Sequence, residues 1–174
     1  MYQETIEKCA AVAARIKNTS ANNPLSFWIG SLMAGAYVGL GIILIFTLGN
    51  LVDPAIRPLV MGATFGIALT LVIIAGAELY TGHTMFLTFG VKTGKLNSTQ
   101  AVGILAQSWT GNLLGSIVVA YLFYLGGGGQ ILPVDGSLVH KVALAKTAAP
   151  ALALFAKGML CNWLVCLAIW MCQR

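Results

Sequence analysis

Residues 74–86 read IAGAELYTGHTMF, and this stretch decides how the rest of the chain folds. It places an acid, a histidine, two threonines and two glycines inside a long apolar segment, where a membrane helix would be uniformly apolar. Such an interruption predicts one of two structures. Either the helix is broken at membrane depth, or it ends at Glu78 and residues 80–94 form a surface loop.

Helix length and the cost of charge favour the broken helix. The segment from 59 to 91 has 33 residues, about 50 Å as one straight helix, against a hydrocarbon core of roughly 30 Å. Glu78 would be costly if it faced lipid, and residues 85–91 are too apolar for a surface loop. We therefore predict a second transmembrane helix in two halves, at about 59–78 and 84–91. The first turn of the second half would present free N–H groups and a positive dipole end, which favour an anion.

The bulk composition is that of an integral membrane protein. Of 174 residues, 58% are hydrophobic and 9% charged, against about 25% charged in globular domains. We predict an all-α membrane bundle with further spans at about 26–48, 99–125 and 148–171. The net charge of +5 does not indicate a nucleic-acid partner, because the basic residues lie mostly between the spans. The sequence contains no metal-ligand cluster, cofactor fingerprint or nucleophile–base pair that would indicate an enzyme, a metal or a cofactor.

Residues 1–24 form an amphipathic segment before a single transmembrane domain at 25–174. Its apolar residues recur at helical spacing, at Ile6, Cys9, Ala10, Ala13 and Ile16. Such a helix either lies on the membrane surface or packs on the bundle, and the pattern does not separate the two. Six Lys and Arg residues on its side of the membrane, against three on the other, predict a cytoplasmic N-terminus.

Small residues in the first span predict a helix–helix contact. Gly35 and Gly39 are four residues apart and let another helix approach closely, so this face is expected to pack on protein. The four cysteines, including Cys161 and Cys166 in the fourth span, are interpreted as small apolar packing residues. Residues 126–147 are interpreted as an outer loop.

Two stretches resemble a known family. Residues 75–84 (AGAELYTGHT) and 161–171 (CNWLVCLAIWM) closely resemble the signature stretches of the formate/nitrite transporter family, nearest to its nitrite channel branch. The resemblance implies an aquaporin-like protomer in a homopentamer in the bacterial inner membrane. Each protomer would have its own pore for small monovalent anions, nitrite first and formate or hydrosulfide next. Six spans would form an inverted repeat of three plus three, with the second and fifth spans broken.

The resemblance also implies a path for the anion. Thr81 matches the loop threonine that hydrogen-bonds a central pore histidine. Leu79 and Tyr80 match loop residues of the cytoplasmic constriction, together with Leu69. Phe65 matches an aromatic residue of the periplasmic constriction.

Three further residues of the path lie in the second half of the chain. Val165 matches an apolar pore residue, while Lys146 and Asn162 match residues that concentrate anions and supply polar contacts. Glu78 either fixes the loop or contacts substrate, and the structural role is favoured because a carboxylate repels an anion. His83 is interpreted first as a structural loop histidine and second as a path residue.

The sequence departs from the family pattern at its end. It stops at Arg174, so we expect the first repeat plus one helix, without the fifth and sixth spans or the central histidine. The alternative to a channel is a non-conducting truncated fragment that only inserts in the membrane or associates with full-length subunits.

Overall fold

The computed structural model describes residues 2–132 and 137–174. The described part consists of seven helices, and no strand occurs within it. They are α1 (Gln3–Asn22), α2 (Pro24–Leu51), α3 (Arg57–Ala75), α4 (Tyr80–Lys92), α5 (Ser98–Leu125), α6 (Leu138–Thr147) and α7 (Ala151–Gln173). Pro133 and Asp135, which the sequence places in the outer loop, lie outside the described residues.

Four of these helices, α2, α3, α5 and α7, are long and apolar enough to cross a membrane. The second span is divided into α3 and α4, so the predicted all-α membrane bundle with a broken second helix is confirmed. The break is narrower than expected and comprises residues 76–79. Gly76 adopts a left-handed conformation with φ 70° that ends α3, as glycine does at many helix ends.

The first turn of α4 contains residues that the resemblance places in a loop. Tyr80 and Thr81 are helical, and the Thr84 hydroxyl donates to the Thr81 carbonyl across this turn. His83, expected in the loop, also lies in α4 and is 4% exposed. The polar run therefore continues a helix instead of extending the break.

The face of α2 that carries Gly35 packs closely on α5. A Cβ atom at Gly35 would collide with the Asn112 backbone, and one at Gly115 would collide with the Leu32 carbonyl. Gly39 packs on the side chain of Val119, 3.3 Å from an added Cβ atom. The prediction that this face contacts protein is confirmed, because only glycine permits so close an approach.

The N-terminal helix α1 packs on the bundle. Its buried face contains Thr5, Cys9, Ala10, Ala13 and Ile16. It contacts α4 most closely at Ala13, whose Cβ atom lies 2.6 Å from the position of an added Cβ on Gly90. Of the two arrangements left open by the sequence, the structure has the packed one.

The expectation of an outer loop over 126–147 is wrong for its second half, which is helix α6. Its residues VHKVALAK include several good helix formers. Pro150 caps α7, and a residue before proline is disfavoured in helical conformation, so α7 begins at Ala151 instead of near residue 148. Lys146 consequently lies in the last turn of a helix.

Candidate functional site: the break between α3 and α4

Asn112 holds both sides of the break. Its Nδ2 group donates to the Glu78 carbonyl at 3.0 Å and to the Ser31 carbonyl of α2 at 2.8 Å, while its Oδ1 accepts from the Tyr80 N–H at 2.9 Å. The Glu78 N–H donates to the Gly30 carbonyl at 3.1 Å. The freed backbone groups of a broken helix must be satisfied inside protein, and one carboxamide satisfies two of them here.

Glu78 and His83 form a buried pair beside this clamp. Glu78 Oε2 lies 2.8 Å from His83 Nε2, and the two side chains are 18% and 5% exposed. The Phe27 ring stacks on the imidazole with centroids 5.9 Å apart. Sequence reasoning favoured a Glu78 carboxylate that fixes the loop by accepting backbone N–H groups. Instead it contacts His83, and the loop is held through the Glu78 backbone.

A polar seam joins α4 to α7. Asn162 Nδ2 donates to the Thr84 hydroxyl at 3.0 Å, and the Cys166 thiol donates to the Thr81 carbonyl at 3.5 Å. Asn162 Oδ1 is buried without a hydrogen-bond partner among the described residues. The interpretation of Cys166 as an apolar packing residue is therefore wrong, since its thiol takes part in this seam.

Three openings surround the break. On the side of α7, an open groove of about 910 Å³ is lined by Tyr80, Thr81, Thr84 and Asn162 with apolar residues of α7. Between α2 and α5, a groove of about 230 Å³ again reaches Leu79, Tyr80 and Thr81. On the side of α1, a cavity of about 170 Å³ contains Glu78 and His83 in its wall. Leu79 lines both this cavity and the groove between α2 and α5.

The structure brings some of the predicted path residues together and leaves others apart. Leu79, Tyr80, Thr81 and Asn162 lie around the break, as described above. Leu69 and Val165 pack against the apolar core cluster.

Leu69 and Val165 line none of the three openings, and neither do two further predicted path residues. Phe65 is 37% exposed on α3 and faces the region of Gly41. Lys146 is exposed on α6.

The break lies at half the depth of the bundle. Asn112 is at the middle of α5 (Ser98–Leu125), and Asn162 is at the middle of α7 (Ala151–Gln173). The N-terminus of α4 therefore directs its positive dipole end toward the middle of the bundle, beside polar groups of Thr81, Thr84 and Asn162. Such a place suits a small anion that has lost its water.

The chain is similar to known transporters and channels. The model of the family described as "Formate/nitrite transporter" matches residues 3–174. The chain is 72% identical over 174 residues to "Nitrite transporter NirC" of Escherichia coli strain K12, covering 100% of this chain and 65% of that protein. It is 33% identical to "Formate channel BtFdhC" of Bacillus thuringiensis, covering 92% of this chain and 62% of that protein.

A solved structure shares the fold. The "FNT family ion channel" superposes with a TM-score of 0.92 at 73% identity, covering 96% of this chain and 67% of that chain. The chain thus spans about 65% of the length of the nitrite transporters it matches. The relatives carry the names of transporters and channels, not of enzymes, as the sequence predicts. With its helices long and apolar enough for several crossings, the chain belongs to the formate/nitrite transporter family of multi-pass membrane proteins.

Proposed function

We propose that the protein conducts small monovalent anions, nitrite first and formate or hydrosulfide next, through a pore in each protomer of a homopentamer. The observation that carries this proposal is the polar seam at the break, at half the depth of an apolar bundle. Irregular backbone and polar side chains at that depth are tolerated where they line a path or pack inside protein. The name of the Escherichia coli relative, at 72% identity, supports nitrite as the first substrate.

The path that we propose runs from Lys146 and Phe65 on one side, past Thr81 and Asn162, to Leu79 and Tyr80. Lys146 attracts anions to the entrance by its field, and the apolar walls exclude hydrated ions. Leu69 and Val165 complete the apolar lining. The N-terminus lies in the cytoplasm of a bacterial cell, with the protein in the inner membrane.

Nitrite flux into proteoliposomes tests the proposal. The protein is expected to raise nitrite uptake above protein-free liposomes, and Thr81→Ala and Asn162→Ala are each expected to lower it at least about tenfold, equivalent to about 1.4 kcal/mol on the barrier. Thr88→Ala is the matched control, because the Thr88 hydroxyl is exposed and bonds only within α4, to the Thr84 carbonyl at 2.6 Å. Uptake equal to protein-free liposomes, with folded protein incorporated, would refute conduction and favour the non-conducting alternative.

A further inference from the structure

The Glu78–His83 pair is a contact between side chains, whereas the clamp beside it holds the backbone of the break. The backbone of the loop is fixed by the neutral Asn112 carboxamide and by the bond from Glu78 N–H to the Gly30 carbonyl. Among the five acidic residues of the sequence, Glu78 alone lies between the ends of the broken second span. Ionisable residues at membrane depth are costly and mark functional sites, and a buried ion pair is weak evidence for stability.

The imidazole of His83 has a nitrogen free to take up a proton. Its Nε2 faces the carboxylate at 2.8 Å, so the neutral ring donates Nε2–H and leaves Nδ1 as an acceptor. Nδ1 is buried without a partner among the described residues. The Phe27 ring, stacked at an interplanar angle of 28°, fixes the plane of the imidazole. A second proton would therefore bind at Nδ1 with the bond to Glu78 intact.

The pair lies against a cavity next to the proposed path. The cavity of about 170 Å³ on the α1 side has Glu78, His83 and Leu79 in its wall. This volume holds several waters or one small anion, because one water occupies about 30 Å³ in the liquid. The other groups in its wall that can carry charge are Arg15 of α1 and Cys172 of α7; the residues that α3 contributes are apolar or glycine. Phe27 and Gly30, the neighbours from α2, carry no charge.

We propose that Glu78 and His83 together hold a proton in the wall of the α1-side cavity, beside the place where an anion passes Leu79. Without that proton the pair has a net charge of −1, which repels an anion and offsets the attraction of Arg15 in the same wall. A proton from cavity water binds His83 Nδ1, the ring becomes an imidazolium still bonded to the carboxylate, and the net charge becomes zero. The proton returns to water as the anion leaves, so no other reactant is consumed. This inference rests on the proposed function and adds a proton site to it.

Two variants, H83Q and E78Q, are predicted to change the pH profile of nitrite flux in opposite ways. Protonation removes the net charge of the pair, so the flux of the unmodified protein is expected to rise several-fold from pH 8 to pH 5.5, after subtraction of protein-free liposomes. H83Q keeps a donor for Glu78 but takes up no proton. From pH 8 to pH 5.5, the flux of H83Q is expected to stay at the low level that the unmodified protein shows at pH 8.

E78Q removes the negative charge and keeps an acceptor for His83. Its flux at pH 8 is expected to rise to the level that the unmodified protein reaches at pH 5.5. His140→Gln on α6 is the control and should retain the original profile. If both variants merely lower flux and keep the original pH profile, the pair has only a structural role and the inference is refuted. If the unmodified protein does not conduct, the proposed function itself fails.

A second measurement leaves Glu78 and His83 unchanged, so it tests the proton site even if H83Q and E78Q do not fold. The chain has two histidines, so ¹⁵N-histidine NMR of the protein with His140→Gln isolates the His83 signals. The chemical shift of Nδ1 is expected to differ between spectra at pH 8 and pH 5.5 and to change again on addition of nitrite. A shift that responds to neither would overturn the proton site.

Discussion

Replacing Asn112 with alanine tests whether one carboxamide holds the break between α3 and α4. The change removes three hydrogen bonds, to the Ser31 carbonyl, the Glu78 carbonyl and the Tyr80 N–H. Interhelical bonds in membranes average about 0.6 kcal/mol, which gives a lower limit of about 2 kcal/mol for three. The Glu78 carbonyl and the Tyr80 N–H would be left buried without a partner, at a cost of about 1–3 kcal/mol each. We therefore expect the free energy of unfolding to fall by about 2–6 kcal/mol.

Two measurements test this value. Unfolding in mixed micelles titrated with denaturing detergent gives the change in the free energy of unfolding of the whole protein. Amide hydrogen exchange at Tyr80 reports the loss of stability at the break itself. Because each 1.4 kcal/mol is a factor of ten, the Tyr80 amide is expected to exchange at least about tenfold faster in Asn112→Ala. Asn112→Asp keeps the Oδ1 acceptor for this amide and loses both Nδ2 donors, so it should protect Tyr80 better than alanine does.

The matched control is Thr110→Ala, two residues away in α5. The Thr110 hydroxyl bonds only to the Ala106 carbonyl of its own helix, at 2.8 Å, so its removal should change the free energy of unfolding by less than about 1 kcal/mol. Equal losses for Asn112→Ala and Thr110→Ala, or unchanged exchange at Tyr80, would refute the assignment of the clamp to Asn112.

Three further outcomes are expected. Gly115→Ala should abolish folded protein in size-exclusion chromatography, because the added Cβ meets an α2 carbonyl, whereas Gly103→Ala has no atom within 4 Å of the added Cβ and should elute normally. Cys166→Ala should lower nitrite flux by weakening the seam to α4, whereas Cys161→Ala, at an exposed position, should not. Burial raises the pKa of the Cys9 thiol. The stability that the buried thiol contributes is present below the ordinary thiol pKa and is lost as pH rises through the raised pKa. The Tm of the unmodified protein is therefore expected to fall at alkaline pH, and the Tm of Cys9→Ser should not show this loss.

The existence of the break could be predicted because its causes, the length of the segment and a charge within it, are visible in the sequence. A segment of 33 residues is too long for one crossing, and Glu78 within it is too costly for lipid. The place of the break could not be predicted to the residue. Composition does not say that Gly76 alone turns the chain, or that the helix resumes at Tyr80.

The partners of the break could not be predicted because they come from distant parts of the sequence. Asn112 lies 32 residues from Tyr80 and 81 from Ser31, and no periodicity relates these positions. A carboxamide in the middle of an apolar span was nevertheless a signal, because polar groups at that depth require partners. Cys166 gave a weaker signal. It lies four residues from Asn162, one turn along the same face of α7, but only the crossing of α7 with α4 shows what that face contacts.

The division between a neutral clamp and a charged pair has a consequence for the break itself. If the carboxylate of Glu78 held the loop, every change in its charge would also move Leu79 and Thr81. Because Asn112 holds the Glu78 carbonyl and the Tyr80 N–H, the charge of the pair can change while the backbone stays in place. E78Q should therefore leave exchange at the Tyr80 amide within about threefold of the original value, and Asn112→Ala should not. The two variants together distinguish Asn112, which positions the backbone of the path, from Glu78, which sets its charge.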